Sequence, residues 1–415
     1  MDTRTSSSIS SKFLPGIGSV VMLILSFGAC AGDLNRVVTD LYGGNGIFVQ
    51  TQFHTAHFTV SSFQELDNLN SLVTSQLNNI PVSSSNVGYS YDVAQGIMVR
   101  RKNGLGPILS ERAWTVGKGI LNVGYSYERI EYDTLNGQSL DKLQLTALHS
   151  DCCGGNPNNP FTPPPNGIQG VPAFETDQVV ININLHLEQQ VHSVYATFGL
   201  TDNWDVGVFI PIIQVNAQAN AVARVVDVGS DIHRFASPED TMSSAGGSAW
   251  GIGDMRVRTK YTIIKEHESA PDFAVALDVA LPTGDQKNLL GTGYAQFRPT
   301  FIVSQKFGLF TPHANVGYQV STAPTNISNS LDNLNYIVGF EAQIFDELAT
   351  AFDFLGKWFP SQPNSKLDNL VDAGFQIRWN PIATTTFNGF VIIPINRNNG
   401  LRSDAIWGLG LEHAF

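Results

Sequence analysis

Three basic residues stand at every second position of one stretch, Arg256, Arg258 and Lys260. Successive side chains of a β-strand point to opposite faces, so these three cations share one face. Charges that line a passage select the solutes that cross it. The same charges can instead form ion pairs that fill and brace a small interior. The spacing therefore predicts a charged inner wall, either as a pore lining or as a structural lattice of ion pairs.

Further ionisable residues lie on the polar faces of other alternating stretches, and we expect them to face the same interior. The predicted pore-lining residues are His186, Glu188, Arg256, Arg258, Lys260, Asp278, Arg298, His313, Glu341, Asp353, Asp372 and Arg378. For each residue, a structural ion pair is the alternative to a role in selecting solutes.

Enzymatic chemistry has little support in the sequence. We find no G-x-S-x-G, no H-E-x-x-H and no phosphate-binding loop. His54 and His57 lack nearby acids, so a structural pair is the better reading. Cys152 and Cys153 are adjacent and cannot tie distant segments together; whether they are bonded to each other stays open. We expect no enzyme activity, no cofactor and no metal.

Composition sets this chain apart from soluble proteins. Only 14% of its 415 residues are charged, against roughly a quarter in a soluble globular chain. The net charge of -12 and the lack of a Lys/Arg-rich run argue against nucleic-acid binding. Residues 1–31 have the basic start, short apolar run and small-residue end of a secretory signal. Lipidation of Cys30 is the weaker alternative, because Phe27 fits a lipobox poorly.

From about residue 115 the chain alternates between apolar and polar residues, as strands with one apolar face do. The clearest stretch has apolar residues at 179, 181, 183, 185 and 187. We assign the apolar faces to lipid and the polar faces to a lumen. The predicted strands are 115–132, 177–199, 203–216, 250–264, 271–283, 295–306, 309–320, 333–345, 348–358, 369–379, 383–395 and 403–415.

The connections between these strands alternate between long and short, which is typical of outer-membrane barrels with long outer loops and short periplasmic turns. We therefore predict an all-β fold, an antiparallel transmembrane β-barrel of about twelve strands, with both ends on the periplasmic side. Counting 88–101 as a strand gives the alternative of fourteen. A secreted soluble β-sandwich that binds a ligand is the alternative outside membranes.

The predicted domains are a signal peptide at 1–31, an N-terminal plug or periplasmic segment at 32–114 and the barrel at 115–415. A helix is expected near residues 61–77, where apolar residues recur at helical spacing before Pro81. The last residue, Phe415, closes an alternating strand, and we expect the barrel-assembly machinery to read it as an assembly signal.

Four stretches, at 198–212, 251–261, 276–285 and 312–318, together resemble the outer-membrane family named for the meta-pathway of phenol degradation. The resemblance covers about 115–415 and implies a channel or transporter in the bacterial outer membrane. It also implies passive uptake of small hydrophobic or aromatic solutes. The resemblance supplies no catalytic residue. A structural or adhesive barrel with a blocked lumen is the functional alternative.

Overall fold

The structure is a computed structural model. It describes residues 33–37, 41, 58–59, 89–92, 97–100, 105–149, 178–226, 242–265, 270–323, 332–360, 369–382 and 384–415. The expected helix near 61–77, the paired histidines and both adjacent cysteines lie outside these residues. The signal at 1–31 also lies outside them and stays a prediction.

The described chain is almost entirely β-structure. Its strands are β1 Phe58–Thr59, β2 Tyr89–Asp92, β3 Ile97–Arg100, β4 Leu121–Leu135, β5 Gln138–Ser139, β6 Leu143–His149, β7 Gln178–Thr201, β8 Trp204–Val226, β9 Met242–Ile252, β10 Arg256–Ile264, β11 Asp272–Ala280, β12 Gln296–Ser304, β13 Phe310–Ser321, β14 Asn333–Phe345, β15 Leu348–Trp358, β16 Asn369–Ile382, β17 Thr385–Pro394 and β18 Leu401–Ala414. Short 3-10 turns occur at Leu34–Arg36, Leu140–Lys142 and Gln286–Asn288.

Twelve strand positions close into an antiparallel barrel. From β10 to β18 each strand pairs with the next, β18 pairs with β4, β4 with β7, and β7 with β8. β8 pairs with β9 along its outer part and with β10 along its first part, so β9 and β10 together fill one position. The prediction of an all-β barrel of twelve strands is confirmed, and the soluble sandwich alternative is wrong.

The alternative with fourteen strands is also wrong. The backbone at 89–92 pairs with that at 97–100 in a separate two-stranded sheet. Neither strand joins the barrel. Among the described residues, no helix is long and apolar enough to cross a membrane.

The barrel carries an outward belt of large apolar side chains. An apolar surface of this extent is costly in water and stable against lipid. Representative members, all at least two-fifths exposed, are Phe198, Trp204, Val257, Phe301, Tyr318, Val338, Phe354, Phe375, Phe387 and Leu409. Small or polar residues alternate with them and point inward, which gives the two-residue period seen in the sequence.

The two ends of the barrel differ in their connections. Both chain ends of the barrel meet at one end, where the backbone of Phe415 exchanges hydrogen bonds of 2.8 and 3.3 Å with that of Leu121. The tight turns, such as the one at 202–203, lie at this end, and we call it the inner end. The longer connections lie at the opposite, outer end. Phe415 is exposed, and its role as an assembly signal stays a prediction.

β7 and β8 are twice as long as most other strands, at 24 and 23 residues. A strand needs about 9–11 residues to cross a membrane, so their outer halves extend beyond the apolar belt. There the polarity of the two faces is reversed. Ile183, Leu185 and Leu187 are buried on the inner side, while Asn184 and His186 are exposed on the outer side. The outer halves thus hold an apolar core in a part of the barrel that faces water outside.

This outer-end core is completed by residues from before the barrel. Leu34, Val37 and Leu41 are buried with Leu140 and with the inward side chains of β7 and β8. A row of inward alanines on β8, at 217, 219, 221 and 223, leaves the space for these side chains. An apolar core therefore packs the outer end of the barrel.

Candidate functional site: the inner segment and the lumen cavity

Residues 105–118, which we call the inner segment, lie inside the barrel ahead of β4. The backbone N–H of Gly106 donates to Glu341, and those of Ile108 and Leu109 donate to Gln376 at 2.5 and 2.8 Å. The segment returns to the inner end, where the backbone N–H of Val116 donates to Asp205 at 2.9 Å. Contacts to β14, β16 and β8 show that it crosses the lumen.

Two charged residues of the inner segment form ion pairs with the wall. Glu111 pairs with Arg258 and, at 3.4 Å, with Lys260 on β10. Arg112 pairs with Glu341 on β14. All these side chains are at most 13% exposed. Because breaking a buried pair leaves an uncompensated charge, each pair holds the inner segment firmly against the wall.

Ser110 connects the middle of the inner segment to the barrel wall. Its hydroxyl lies 2.7 Å from Nε2 of His313 and 3.0 Å from Oδ2 of Asp353. Nε2 of His313 also lies 2.6 Å from Oδ1 of Asp353, and Nδ1 lies 3.2 Å from the carbonyl oxygen of Thr311. A catalytic triad needs the serine and the aspartate on different nitrogens of the imidazole. Here the serine hydroxyl and the carboxylate of Asp353 both lie at Nε2. The three residues therefore lack triad geometry, and their hydrogen bonds hold the inner segment to the barrel wall.

Next to residues 109–111 of the inner segment lies a cavity, which we call the lumen cavity. Its volume is about 1230 Å³, counting the part that is open to solvent. Its apolar lining comes mainly from Leu109, Ile130, Ile337, Leu355, Ile392 and Ile406. Its charged lining consists of Glu111, Glu128, Arg258, Asp278, Arg298, Lys357, Asp372 and Arg402. The mixture suits a solute with an apolar body and a small polar group.

Most charges of the lumen cavity are already paired with one another. Asp278 lies 3.6 Å from Arg258 and 3.4 Å from Arg298, and Asp372 lies 2.6 Å from Arg402. These pairs reduce the net field in the cavity. The cavity is therefore less suited to concentrating free ions than an unpaired ring of one sign would be.

The cavity reaches the wall where two strands stop pairing. The ladder between β17 and β18 ends at the pair Ile392 and Ile406, although β17 continues to Pro394 and β18 begins at Leu401. Pro394 and Ser403 line the cavity beyond that pair. The wall here has fewer hydrogen bonds between strands than elsewhere on the same ladder.

Ten of the twelve predicted pore-lining residues lie on the inner side of the barrel, in two groups. Around the lumen cavity stand Arg258, Asp278, Arg298 and Asp372. At the level of the inner segment stand Lys260, His313, Glu341, Asp353 and Arg378, the last donating to the carbonyl of Leu105 at 2.8 Å. Arg256 is buried on the same face of β10. Their part in selecting solutes stays a prediction.

The prediction for His186 and Glu188 is wrong. His186 is exposed, and Glu188 pairs at 3.0 Å with Arg129, which is 41% exposed on the outer face. The prediction took the apolar face as the lipid face. In the outer half of β7 water lies outside and the apolar core lies inside, so the polar residues point outward.

Sequence reasoning missed several lining residues: Glu111, Glu128, Lys357 and Arg402. Glu128 could have been found, because Leu121, Val123, Tyr125 and Tyr127 form an apolar odd-numbered face on β4 that leaves the even-numbered residues inside. Glu111 precedes the barrel and carries no periodic signal. Within the described part of the chain, no group of three or more His, Cys, Asp and Glu residues could hold a metal.

Comparison with known families agrees with the resemblance seen in the sequence. Residues 157–345, just under half of the chain, match the family described as "Putative MetA-pathway of phenol degradation". The predicted resemblance to this family is confirmed. No curated protein matches the chain.

Solved outer-membrane proteins show a distant likeness. The COG4313 outer membrane channel from Pseudomonas putida F1 has 9% identity and a TM-score of 0.43, covering 73% of this chain and 98% of that one. The Pseudomonas putida toluene transporter TodX has 8% identity and a TM-score of 0.30, covering 76% and 99%. A Pseudomonas aeruginosa FadL homologue has 9% identity and a TM-score of 0.32, covering 75% and 92%.

Proposed function

From a closed barrel that matches this family, we propose that the protein is an outer-membrane channel for small hydrophobic or aromatic solutes. Passage is passive and uses the lumen cavity as an intermediate binding place. The observation that carries the proposal is a cavity whose lining combines apolar side chains with charges that are mostly paired with one another, inside a barrel whose outward belt is apolar. A channel for hydrophilic solutes would instead have a wide polar lumen.

The packing at both ends suits such solutes better than ions. The apolar core packs the outer end, and the inner segment crosses the lumen toward the inner end. We infer that apolar solutes reach the cavity from the bilayer side, where β17 and β18 stop pairing, and leave when the inner segment shifts. A barrel with a permanently blocked lumen is the second candidate, favoured by the many buried bonds of the inner segment.

A reversible lock of the inner segment tests this proposal against the second candidate. The backbone N–H of Ala113 donates to the hydroxyl of Ser304 at 3.3 Å, so Ala113→Cys and Ser304→Cys place two thiols at neighbouring positions, and titration of free thiols verifies that the disulfide forms on oxidation. Cys152 and Cys153 are replaced by serine in this variant and in its parent. We expect oxidation to reduce toluene uptake into proteoliposomes several-fold and dithiothreitol to restore it.

The single variant Ser304→Cys, treated with the same oxidant, is the control and should keep its uptake. Uptake that is equal in the oxidised and reduced double variant would show that solutes do not need the inner segment to move. Absence of uptake by the unmodified protein would favour the permanently blocked barrel.

The orientation in the membrane gives a second expected result. We expect an epitope inserted between Val226 and Met242 to be reached by antibody on intact cells, because this connection lies at the outer end. An epitope at Asp346 should be reached only after the outer membrane is permeabilised. Fluorescence labelling of whole cells measures both, and the opposite pattern would reverse the proposed orientation.

A further inference from the structure

One carboxylate at the lumen cavity differs from the other acids of the lining. The other acids of the lining, Glu111, Asp278 and Asp372, each have an arginine within ion-pair distance. Glu128 on β4 is 1% exposed, and its Oε2 has no hydrogen-bond partner in the described part of the protein. Arg256 acts on it electrostatically.

The neighbouring strands limit the positions that the side chain of Glu128 can adopt. It stands between Val191 on β7 and Gly408 on β18 in the two ladders of β4. A Cβ at Gly408 would collide with the ring of Phe390 and lie 2.9 Å from Cγ of Glu128. The missing side chain at Gly408 therefore makes room for the stem of Glu128 at the cavity wall.

Toward the lumen cavity, the inner-face neighbours of Glu128 are apolar. Ile130 follows it two positions along β4, and Ile406 lies opposite Ile130 on β18; both line the cavity. A buried carboxylate oxygen without a hydrogen-bond donor is energetically unfavourable, because it has lost its hydration without a replacement. A ligand that places an apolar body against the isoleucines and a donor at Glu128 would remove this cost.

We propose that Glu128 is the polar anchor of a binding site in the lumen cavity for small apolar molecules whose head group donates a hydrogen bond, an alcohol or an ammonium. This inference rests on the proposed function and names the solute class of the same cavity. Anionic heads are disfavoured, because two carboxylates at this buried position repel each other unless they share one proton, whereas an ammonium attracts the carboxylate of Glu128 directly. Molecules without a polar head would leave Glu128 unsatisfied.

Four probes of similar size, each with one benzene ring, test the proposal: benzylamine, benzyl alcohol, toluene and benzoate. They are titrated by calorimetry into the purified full-length protein in detergent, with the titration of empty micelles subtracted. We expect benzylamine and benzyl alcohol to bind more tightly than toluene and benzoate. In Glu128→Gln the affinity for benzylamine should fall roughly ten-fold, because a charge-assisted hydrogen bond becomes a neutral one. The affinity for toluene should not change.

Glu131→Gln is the matched control, since Glu131 lies on the same strand but is exposed on the outer face, paired with Arg129 at 3.6 Å. A second variant, Glu128→Asp, retracts the carboxylate by one methylene and should weaken benzylamine binding while keeping its preference over benzoate. Heat-modifiable gel mobility verifies that each variant is folded.

Equal affinity for benzylamine and toluene, or benzylamine binding that Glu128→Gln leaves unchanged, would overturn the proposed anchor while leaving the channel for apolar solutes intact. Binding of none of the four probes would overturn both.

Discussion

Leu277→Arg is expected to lower the free energy of unfolding by about 2–4 kcal/mol. Leu277 lies in the middle of β11 and is 39% exposed on the outward face, within the apolar belt. An arginine there must be stripped of water or must distort the bilayer around it. Urea unfolding of the purified barrel in lipid vesicles, followed by tryptophan fluorescence, measures the loss.

The control for this variant must face the lumen where an arginine can find water and a counter-charge. Ser126 on β4 suits, because it is half-buried on the inner face two residues from Glu128. Ser126→Arg should cost much less than Leu277→Arg. Equal losses in the two variants would contradict the assignment of the two faces.

Ala276, the inward neighbour of Leu277, is not an equivalent control. It is buried in a cluster with Ala113 of the inner segment and Ile302. An arginine at 276 would displace the inner segment, so its cost would report packing inside the lumen and not solvation. The inner face of β11 is thus part of a filled interior at this level.

Strands whose alternation is strong and whose turns are tight could be predicted closely from the sequence. The predicted strands at 333–345 and 348–358 agree with β14 and β15. The two-residue turn between them restricts the register, which has one irregularity, at residues 343–345. The alternation also placed Arg258 and Asp353 on the inner side. Side chains alternate between the two faces of a strand whether a face contacts lipid, water or protein.

Two kinds of feature could not be predicted, for different reasons. The start of the first barrel strand was set at 115, but Thr115 and Val116 bond across the inner end to residues 202 and 205, and β4 begins at Leu121. Those bonds depend on residues far away in sequence. The faces of β7 were assigned by polarity, which reverses where the strand leaves the apolar belt. A two-residue period shows which residues share a face, but not what that face contacts.

The second large effect is expected from Asp353, which belongs to the cluster that holds the inner segment to the wall. Asp353 is fully buried and accepts hydrogen bonds from Ser110 and Gln376, at 3.0 and 2.5 Å, besides its contact of 2.6 Å with His313. Asp353→Ala leaves these three groups without their acceptor. Removal of one partner of such a buried cluster costs about 3–5 kcal/mol, and part of the loss should appear as release of the inner segment.

We therefore expect Asp353→Ala both to lower the free energy of unfolding and to raise the single-channel conductance in planar bilayers several-fold. Asp404→Ala is the matched control. Asp404 pairs with Arg397 at 2.5 Å, but the two side chains are 70% and 48% exposed, so this pair should contribute about 0–1 kcal/mol and leave conductance unchanged. If Asp353→Ala lost stability without a change in conductance, the cluster would brace the wall only. The inner segment would then be held by the ion pairs of Glu111 and Arg112, which anchor it on β10 and β14.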